Sequence, residues 1–129
     1  MKVHKRIAQL SLRRACLLVW MVLLLTVGCG PSGSKIISLN NENTGQSVVA
    51  TVGEKIEVTL QTVGPGQYGD PIVSSGSVKF LEESSAGTPN PGGPRQLYRF
   101  EAVSSGQANI TIPHTGGLPD AFTLTVTVK

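Results

Sequence analysis

Cysteine and histidine are scarce in this 129-residue chain, and their scarcity excludes several kinds of site. Both cysteines, Cys16 and Cys29, lie near the amino terminus, and one histidine, His114, lies beyond them. After Cys29 the chain therefore has no thiol for a disulfide, for a metal or for nucleophilic attack. A single histidine without paired carboxylates does not make a zinc ligand set, so we expect no metal and no cofactor.

Sequence motifs of catalysis are also missing. No serine lies in a G-x-S-x-G nucleophile elbow, and no glycine-rich phosphate loop precedes a helical pattern. Glu82 and Glu83 are neighbours on a predicted strand, so their side chains point to opposite faces and do not converge on one site. We therefore predict that the protein is not an enzyme and that His114 is a solvent-facing loop residue rather than a catalytic base.

The chain has no basic cluster outside its first residues. Five of its eleven lysines and arginines lie within the first fourteen positions, which leaves six basic residues against eight acidic ones. The formal charge of +3 therefore reports a targeting segment and does not indicate a nucleic-acid partner.

The amino-terminal segment has the pattern of a secretion signal. Residues 1–14 are basic, and residues 15–28 form an uncharged apolar run, shorter than the roughly 20 residues that a membrane-spanning helix needs. The run ends in Leu25-Thr26-Val27-Gly28-Cys29, which resembles a bacterial lipobox with Gly28 as the small residue before the lipidated cysteine. A short signal anchor with an incidental cysteine is the alternative.

The lipobox resemblance implies where the protein is located. It implies that residues 1–28 are removed and that Cys29 becomes the mature amino terminus, carrying two or three acyl chains such as palmitate. Two or more acyl chains hold a protein stably on a membrane. Gly30 is not the aspartate that favours inner-membrane retention, so we expect a bacterial envelope lipoprotein, on the outer membrane where the host has one. Residues 29–34 comprise this cysteine and the flexible tether GPSGS.

Residues 35–129 have a β pattern throughout. In KIEVTLQTV (55–63) and AFTLTVTVK (121–129), apolar and polar residues alternate, which is typical of strands with one buried face. Tyr98 and Phe100 fall on the inward register of another strand, so we expect both in the core. Seven strands are predicted, at residues 35–39, 47–52, 55–63, 77–83, 96–103, 107–112 and 121–129. They indicate an all-β, antiparallel, immunoglobulin-like sandwich, with a small closed barrel as the alternative.

Three loops rich in glycine and proline, at residues 64–71, 84–94 and 113–120, are the candidate binding surface. A rigid sandwich that carries such loops is a common design for recognition. The first loop, VGPGQYGDP, has two interpretations: a recognition loop with Tyr68 as an exposed contact ring, or a wide turn in which Tyr68 packs on the core. The candidate site residues are Pro65, Gln67, Tyr68, Asp70, Gly92, Gly93, Pro113, His114 and Leu118.

The segments VGEKIEVTL, LYRFEAVSSGQANITI and FTLTVTVK, with the loops between them, resemble the chagasin-type inhibitors of papain-like cysteine proteases over residues 50–129. The resemblance implies an immunoglobulin-like domain in which three clustered loops enter the protease cleft. The family's first loop reads Asn-Pro-Thr-Thr-Gly-aromatic, of which Pro65 is in register and Tyr68 is one place early. Its last loop reads Arg-Pro-Trp, of which Pro113 matches, and Gly92-Gly93 correspond to its glycine-rich middle loop.

Two functions follow as hypotheses. The first is a non-catalytic, lipid-anchored binding module, in its most specific form a chagasin-like inhibitor whose partner is a cysteine protease. The second is a structural or envelope-assembly lipoprotein that contacts envelope proteins and inhibits nothing.

Overall fold

The computed structural model describes residues 33–87, 93–116 and 121–129, and Ser34–Lys129 form one compact unit. Among the described residues, no helix is long and apolar enough to cross a membrane. The predicted signal segment, residues 1–28, and Cys29 lie outside the described residues. The described residues of this unit form a 3-10 helix at Asn41–Asn43 and nine strands: β1 (Ile36–Asn40), β2 (Gln46–Ala50), β3 (Lys55–Gln61), β4 (Gln67–Tyr68), β5 (Ile72–Val73), β6 (Val78–Ser85), β7 (Arg95–Ala102), β8 (Gly106–Thr115) and β9 (Ala121–Val128).

The strands form two sheets, as the predicted sandwich requires. Sheet A has the order β1-β3-β7-β6. Sheet B has the order β2-β9-β8-β4, and β5 also pairs with β8. The seven predicted strands are all present, and the two short ones, β4 and β5, lie in and just after the first glycine-rich loop.

Two strand pairs differ from the antiparallel arrangement that we predicted. β1 is parallel to β3, and β2 is parallel to β9. The 3-10 helix connects β1 in sheet A to β2 in sheet B, so β2 runs back along the other sheet before β3 returns to sheet A. Because each reversal also changes sheet, β1 and β3 meet in the same direction, and both sheets are mixed.

The core lies between the two sheets and is built from alternate residues of the long strands. Tyr98 and Phe100 are fully buried, which confirms their predicted place in the core. Burial of each large apolar side chain contributes about 1.5–3 kcal/mol. The other buried residues of the predicted inward registers are Ile56, Val58, Leu60, Val78, Ala102, Ala108, Ile110, Ile112, Phe122, Leu124, Val126 and Val128.

The sandwich has two different ends. At the loop end, β3, β6 and β8 finish and the glycine-rich connections begin. At the other end, called the base, β2, β7 and β9 finish, and the chain enters β1 through Lys35, whose carbonyl accepts a hydrogen bond of 3.1 Å from the Lys55 N–H. Because β1 runs parallel to β3, the entry of the chain and the three loops lie at opposite ends of the sandwich.

Candidate functional site

The described parts of the three predicted loops meet at the loop end. The Thr62 N–H, just after β3, donates to the Pro94 carbonyl at 3.2 Å. Gly93 lies so close to this strand that a Cβ on it would be 2.5 Å from the Thr62 oxygen. On the other side, a Cβ on Gly116 would be 3.3 Å from the Gly66 Cα. The first loop therefore packs against the third at Gly66, and the end of β3 that leads into the first loop packs against Gly93 and Pro94 of the second.

The first loop is held against sheet B by β4. In β4, Gln67 pairs with Thr115 and Tyr68 pairs with His114, which extends β8 to Thr115. The prediction that Pro113 and His114 belong to a loop was therefore wrong. β4 and β5 leave a gap at residues 69–71, where the Gly69 N–H donates to the Pro113 carbonyl at 2.8 Å. Pro113 has no backbone N–H, and the position where one would lie faces this irregular stretch. β8 therefore accommodates the proline without losing a hydrogen bond of a regular ladder.

Tyr68 closes the core beneath the loops. Its side chain is 3% exposed, and its ring centroid lies 4.7 Å from that of His114. Its hydroxyl accepts a hydrogen bond of 3.0 Å from Asn41 Nδ2. Burial raises the pKa of Tyr68, and the bond from Asn41 lowers it by less. Tyr68 is thus not an exposed contact ring, and it stands beside His114 because it caps the core.

His114 differs from the solvent-facing loop residue that we predicted. It lies on β8, it is half-buried, and its ring packs on Tyr68. Both ring nitrogens are buried and have no hydrogen-bond partner among the described residues. The described residues also contain no group of three or more histidine, cysteine, aspartate or glutamate side chains that could hold a metal. His114 therefore acts here as a packing residue.

Gln96 fixes the backbone of the first loop. Its Oε1 accepts from the Tyr68 N–H at 2.9 Å, and its Nε2 donates to the Tyr68 carbonyl at 2.9 Å. The same Nε2 lies 3.1 Å from the Tyr98 hydroxyl and 2.7 Å from a Glu83 carboxylate oxygen. The Tyr98 hydroxyl in turn donates to the Gly69 carbonyl at 3.0 Å. The Gln96 side chain of sheet A thus makes the same pair of backbone hydrogen bonds with Tyr68 of sheet B that a neighbouring strand would make.

Asn41 completes these contacts from the 3-10 helix. Its Oδ1 accepts from the Gln61 N–H at 2.8 Å, and its Nδ2 donates to the Gln61 carbonyl at 3.2 Å as well as to the Tyr68 hydroxyl. We did not predict a role for Asn41 or Gln96. For Gln96 a signal was present, because it occupies the inward register with Tyr98, where a polar side chain indicates a buried hydrogen-bonding role.

The projecting part of the first loop, residues 63–67, is exposed and uncharged. Three of the candidate binding residues, Pro65, Gln67 and Asp70, are exposed. Val63 is 76% exposed, although it was not among the predicted candidates. Gly93 is half-buried against Thr62. Two further predicted candidates, Gly92 and Leu118, lie outside the described residues. The loop end therefore presents backbone and apolar groups suited to contact, on a support fixed by hydrogen bonds.

Comparison with solved structures shows which known fold the domain has. No known protein family and no curated protein matches the sequence. Among solved structures, the chain is similar to the cysteine protease inhibitor EhICP2 of Entamoeba histolytica, with a TM-score of 0.62 and 13% identity, over 78% of this chain and 100% of the inhibitor. The solution structure of amebosin gives a TM-score of 0.48 and 22% identity, over 75% of this chain and 100% of that one. The likeness to the inhibitor extends over its whole length, so the chain has the chagasin-like fold that its sequence predicted.

Proposed function

We propose that this protein is a non-catalytic inhibitor of papain-like cysteine proteases, anchored to a bacterial membrane through lipid on Cys29. The observation that carries the proposal is the meeting of three loop segments at one end of the sandwich, opposite to the entry of the chain. The solved inhibitor with the same fold supports the choice of a cysteine protease as the partner.

The first loop is suited to enter a cleft because it is already ordered. Gln96, Asn41 and β8 hold both sides of Tyr68, so the preceding residues 63–67 project from a fixed support. Ordering a rotamer-rich side chain on binding costs about 0.5–1.5 kcal/mol, and a preorganised loop avoids much of that cost. Gly64 and Gly66 also leave the backbone open to a close approach.

The contacts with the protease would come from backbone and apolar groups. Pro65 matches the chagasin-type first loop and is exposed, whereas Pro113 is half-buried in β8 and contributes by supporting Gly69. Val63 adds a large exposed side chain beside Pro65. Residues 63–67 carry no charge and no nucleophile, so this part of the loop would block the cleft by occupying it.

The proposed anchor agrees with this direction of binding. Five tether residues after Cys29 reach at most about 17 Å, and they lead to the base. β3 has seven residues, so the loop end lies roughly 23 Å further along the sandwich. The loops would therefore point away from the bilayer, toward a protease in the surrounding space.

Titration of papain with residues 34–129 tests the inhibition, because this compact unit contains the whole described core. We expect stoichiometric loss of papain activity at micromolar concentrations or below. Undiminished activity at micromolar concentrations of folded domain would remove protease inhibition and favour the structural envelope lipoprotein.

Labelling with an alkyne fatty acid tests the anchor separately. We expect label on the protein expressed in a bacterial host and none on the Cys29→Ser variant. Label of equal intensity on Cys29→Ser would refute lipidation at this residue and would leave the protease assay unaffected.

A further inference from the structure

The lysines of the domain are all located at the base. Lys35, Lys55, Lys79 and Lys129 are exposed, and each lies at or next to the basal end of a strand. We propose that the base is a docking surface for the anionic phospholipid headgroups of the bilayer. This interaction goes beyond protease inhibition and uses a different end of the molecule.

The strand register places these lysines around the base on both sheets. On the outer face of sheet A, Lys55 and Lys79 lie on either side of Glu101, each in register with it. Lys35 adjoins Lys55 through its carbonyl. On sheet B, the Lys129 N–H donates to the Ala50 carbonyl at 2.9 Å, which fixes the fourth lysine beside the end of β2.

Lysines outnumber carboxylate side chains at the base by four to two. Among the described residues, none of the four lysines forms an ion pair. Of the two basal carboxylates, Glu54 accepts from the Thr51 N–H at 2.9 Å, and Glu101 faces two lysines. In the next row of sheet A one basic residue lies between two acidic ones, since Arg99 forms ion pairs with both Glu57 and Glu82.

Charge is therefore separated along the long axis of the domain. Above the basal row, the described basic residues are Arg95 and Arg99, and the described acidic residues are Glu42, Glu57, Asp70, Glu82 and Glu83. The base thus carries an excess of basic side chains, and the remainder carries an excess of acidic ones. An anionic surface attracts the base and repels the rest, which orients the loop end outward.

Two apolar side chains lie among the basal lysines. Val52 is 52% exposed in the turn between β2 and β3, and Val103 is 40% exposed after β7. The hydrogen bond of 2.7 Å from the Gly53 N–H to the Ala102 carbonyl brings the two turns together. Lysines surrounding a small apolar group suit a headgroup layer, where ammonium groups meet phosphate and aliphatic parts meet the acyl boundary.

The position of the chain entry favours a membrane over a protein as the occupant of this surface. Lys35 is the first residue of the base and follows the tether directly, so an anchored Cys29 would lie at most about 22 Å from it, even with the tether fully extended. The Debye length at physiological salt is about 8 Å, so the basal lysines sense the surface potential when the flexible tether folds back and lets the base approach the bilayer. The orientation of the base toward the bilayer rests on the proposed anchor, whereas the electrostatic attraction itself does not.

The test uses residues 34–129, which lack Cys29, so that neither lipidation nor inhibition affects the result. The domain is sedimented with vesicles of phosphatidylglycerol and phosphatidylcholine, and separately with phosphatidylcholine alone, at an ionic strength of about 100 mM, where the Debye length is about 10 Å and a docked domain has only its base within the field. We expect binding to the anionic vesicles that falls as salt is added, and little binding to the neutral ones.

A pair of charge-matched variants locates the binding surface. Each lysine near an anionic surface changes partitioning about fivefold, so Lys55→Gln with Lys79→Gln should weaken binding about 25-fold. Arg95→Gln with Arg99→Gln removes the same net charge away from the base and should weaken binding much less. Circular dichroism confirms that both variants are folded. Equal losses in the two variants, or equal binding to neutral and anionic vesicles, would overturn the proposal.

Discussion

At the scale of single residues, Gln96 connects the two sheets at the loop end. Its amide pairs with the N–H and the carbonyl of Tyr68 and lies within hydrogen-bond distance of the Tyr98 hydroxyl. A buried polar group that loses its partner costs about 1–3 kcal/mol, since water does not replace the bond. The side chain of Gln96 therefore determines how firmly the first loop is held.

Replacing Gln96 by alanine should lower the free energy of unfolding by about 1–3 kcal/mol, because the Tyr68 backbone loses both bonds. Gln107→Ala is the matched control, since Gln107 is exposed on β8 and its side chain makes no hydrogen bond among the described residues. Urea denaturation of both variants measures the difference. Losses of equal size in the two variants would show that the Gln96 amide does not hold the loop.

The two tyrosines of the chain should respond to alkaline pH only when the domain unfolds. Burial raises the pKa of Tyr98 and of Tyr68 above the ordinary value, and nearby negative charge from Glu83 and Asp70 adds to the rise for Tyr98. Because the folded pKa exceeds the unfolded one, this stabilisation is complete below about pH 10 and decreases as pH rises further.

Ultraviolet absorbance of tyrosinate, compared with circular dichroism during an alkaline titration of residues 34–129, measures this response. We expect the two signals to change together above pH 10. Tyrosinate that forms at the ordinary pKa while the β signal persists would contradict the buried positions of Tyr68 and Tyr98.

At the scale of elements, β4 is the feature that turns a glycine-rich loop into a fixed support. Gly66 precedes it with φ of +107°, and a Cβ on Gly66 would lie 1.5 Å from the Thr115 carbonyl oxygen. Gly64 has a similar φ of +91° but open space around it. A substitution of Gly64 therefore adds backbone strain alone, whereas a substitution of Gly66 adds both backbone strain and a direct clash with β8.

Gly66→Ala should detach β4 from β8, whereas Gly64→Ala should cost only the left-handed strain of about 1–2 kcal/mol. Amide hydrogen exchange at Gly69 measures the detachment, because the Gly69 N–H donates to the Pro113 carbonyl of β8. We expect faster exchange at this amide in Gly66→Ala and nearly unchanged exchange in Gly64→Ala. Protection that survives in Gly66→Ala would show that β4 does not depend on the close approach to Thr115.

The strands could be predicted to different extents. The alternation of Phe122, Leu124, Val126 and Val128 specifies β9 directly, because a period of two with one apolar face is a property of the segment itself. β4 and β5 have two residues each and no period, so they exist only through their pairing with β8. The parallel pairs depend on where the 3-10 helix crosses between sheets, which alternation within a strand does not encode.

The candidate site was predictable in position but not in detail. Glycine and proline marked the three loops, and the described parts of these loops lie at the same end of the sandwich. The burial of Tyr68 and His114 was not predictable, because it arises when β4 folds onto an extended β8. The local sequence indicated a turn at residues 64–71. Which side chains this turn buries depends on the long-range pairing of β4 with β8.

At the scale of the whole molecule, the two ends of the sandwich are proposed to have separate functions. The loop end carries the contact surface for a protease, and the base carries the lysines that face the membrane. The two proposed functions are compatible, because a base that is bound to the bilayer leaves the loop end free.

This separation predicts that the lysine variant Lys55→Gln with Lys79→Gln inhibits papain as strongly as the wild type. The two lysines lie at the start of β3 and β6, a whole strand length from the loop end. Inhibition constants of the two proteins, measured with residues 34–129, provide the comparison. A tenfold loss of inhibition in the lysine variant would contradict the division between the two ends.

The central claim is that the loop end is the surface that binds a cysteine protease. The most direct test is a nuclear magnetic resonance titration of isotope-labelled residues 34–129 with unlabelled papain. We expect amide signals of residues 62–69, 93–95 and 115–116 to shift or broaden first, while those of Lys55, Lys79 and Val103 remain in place. Changes centred on the base, or no change at saturating papain, would contradict it.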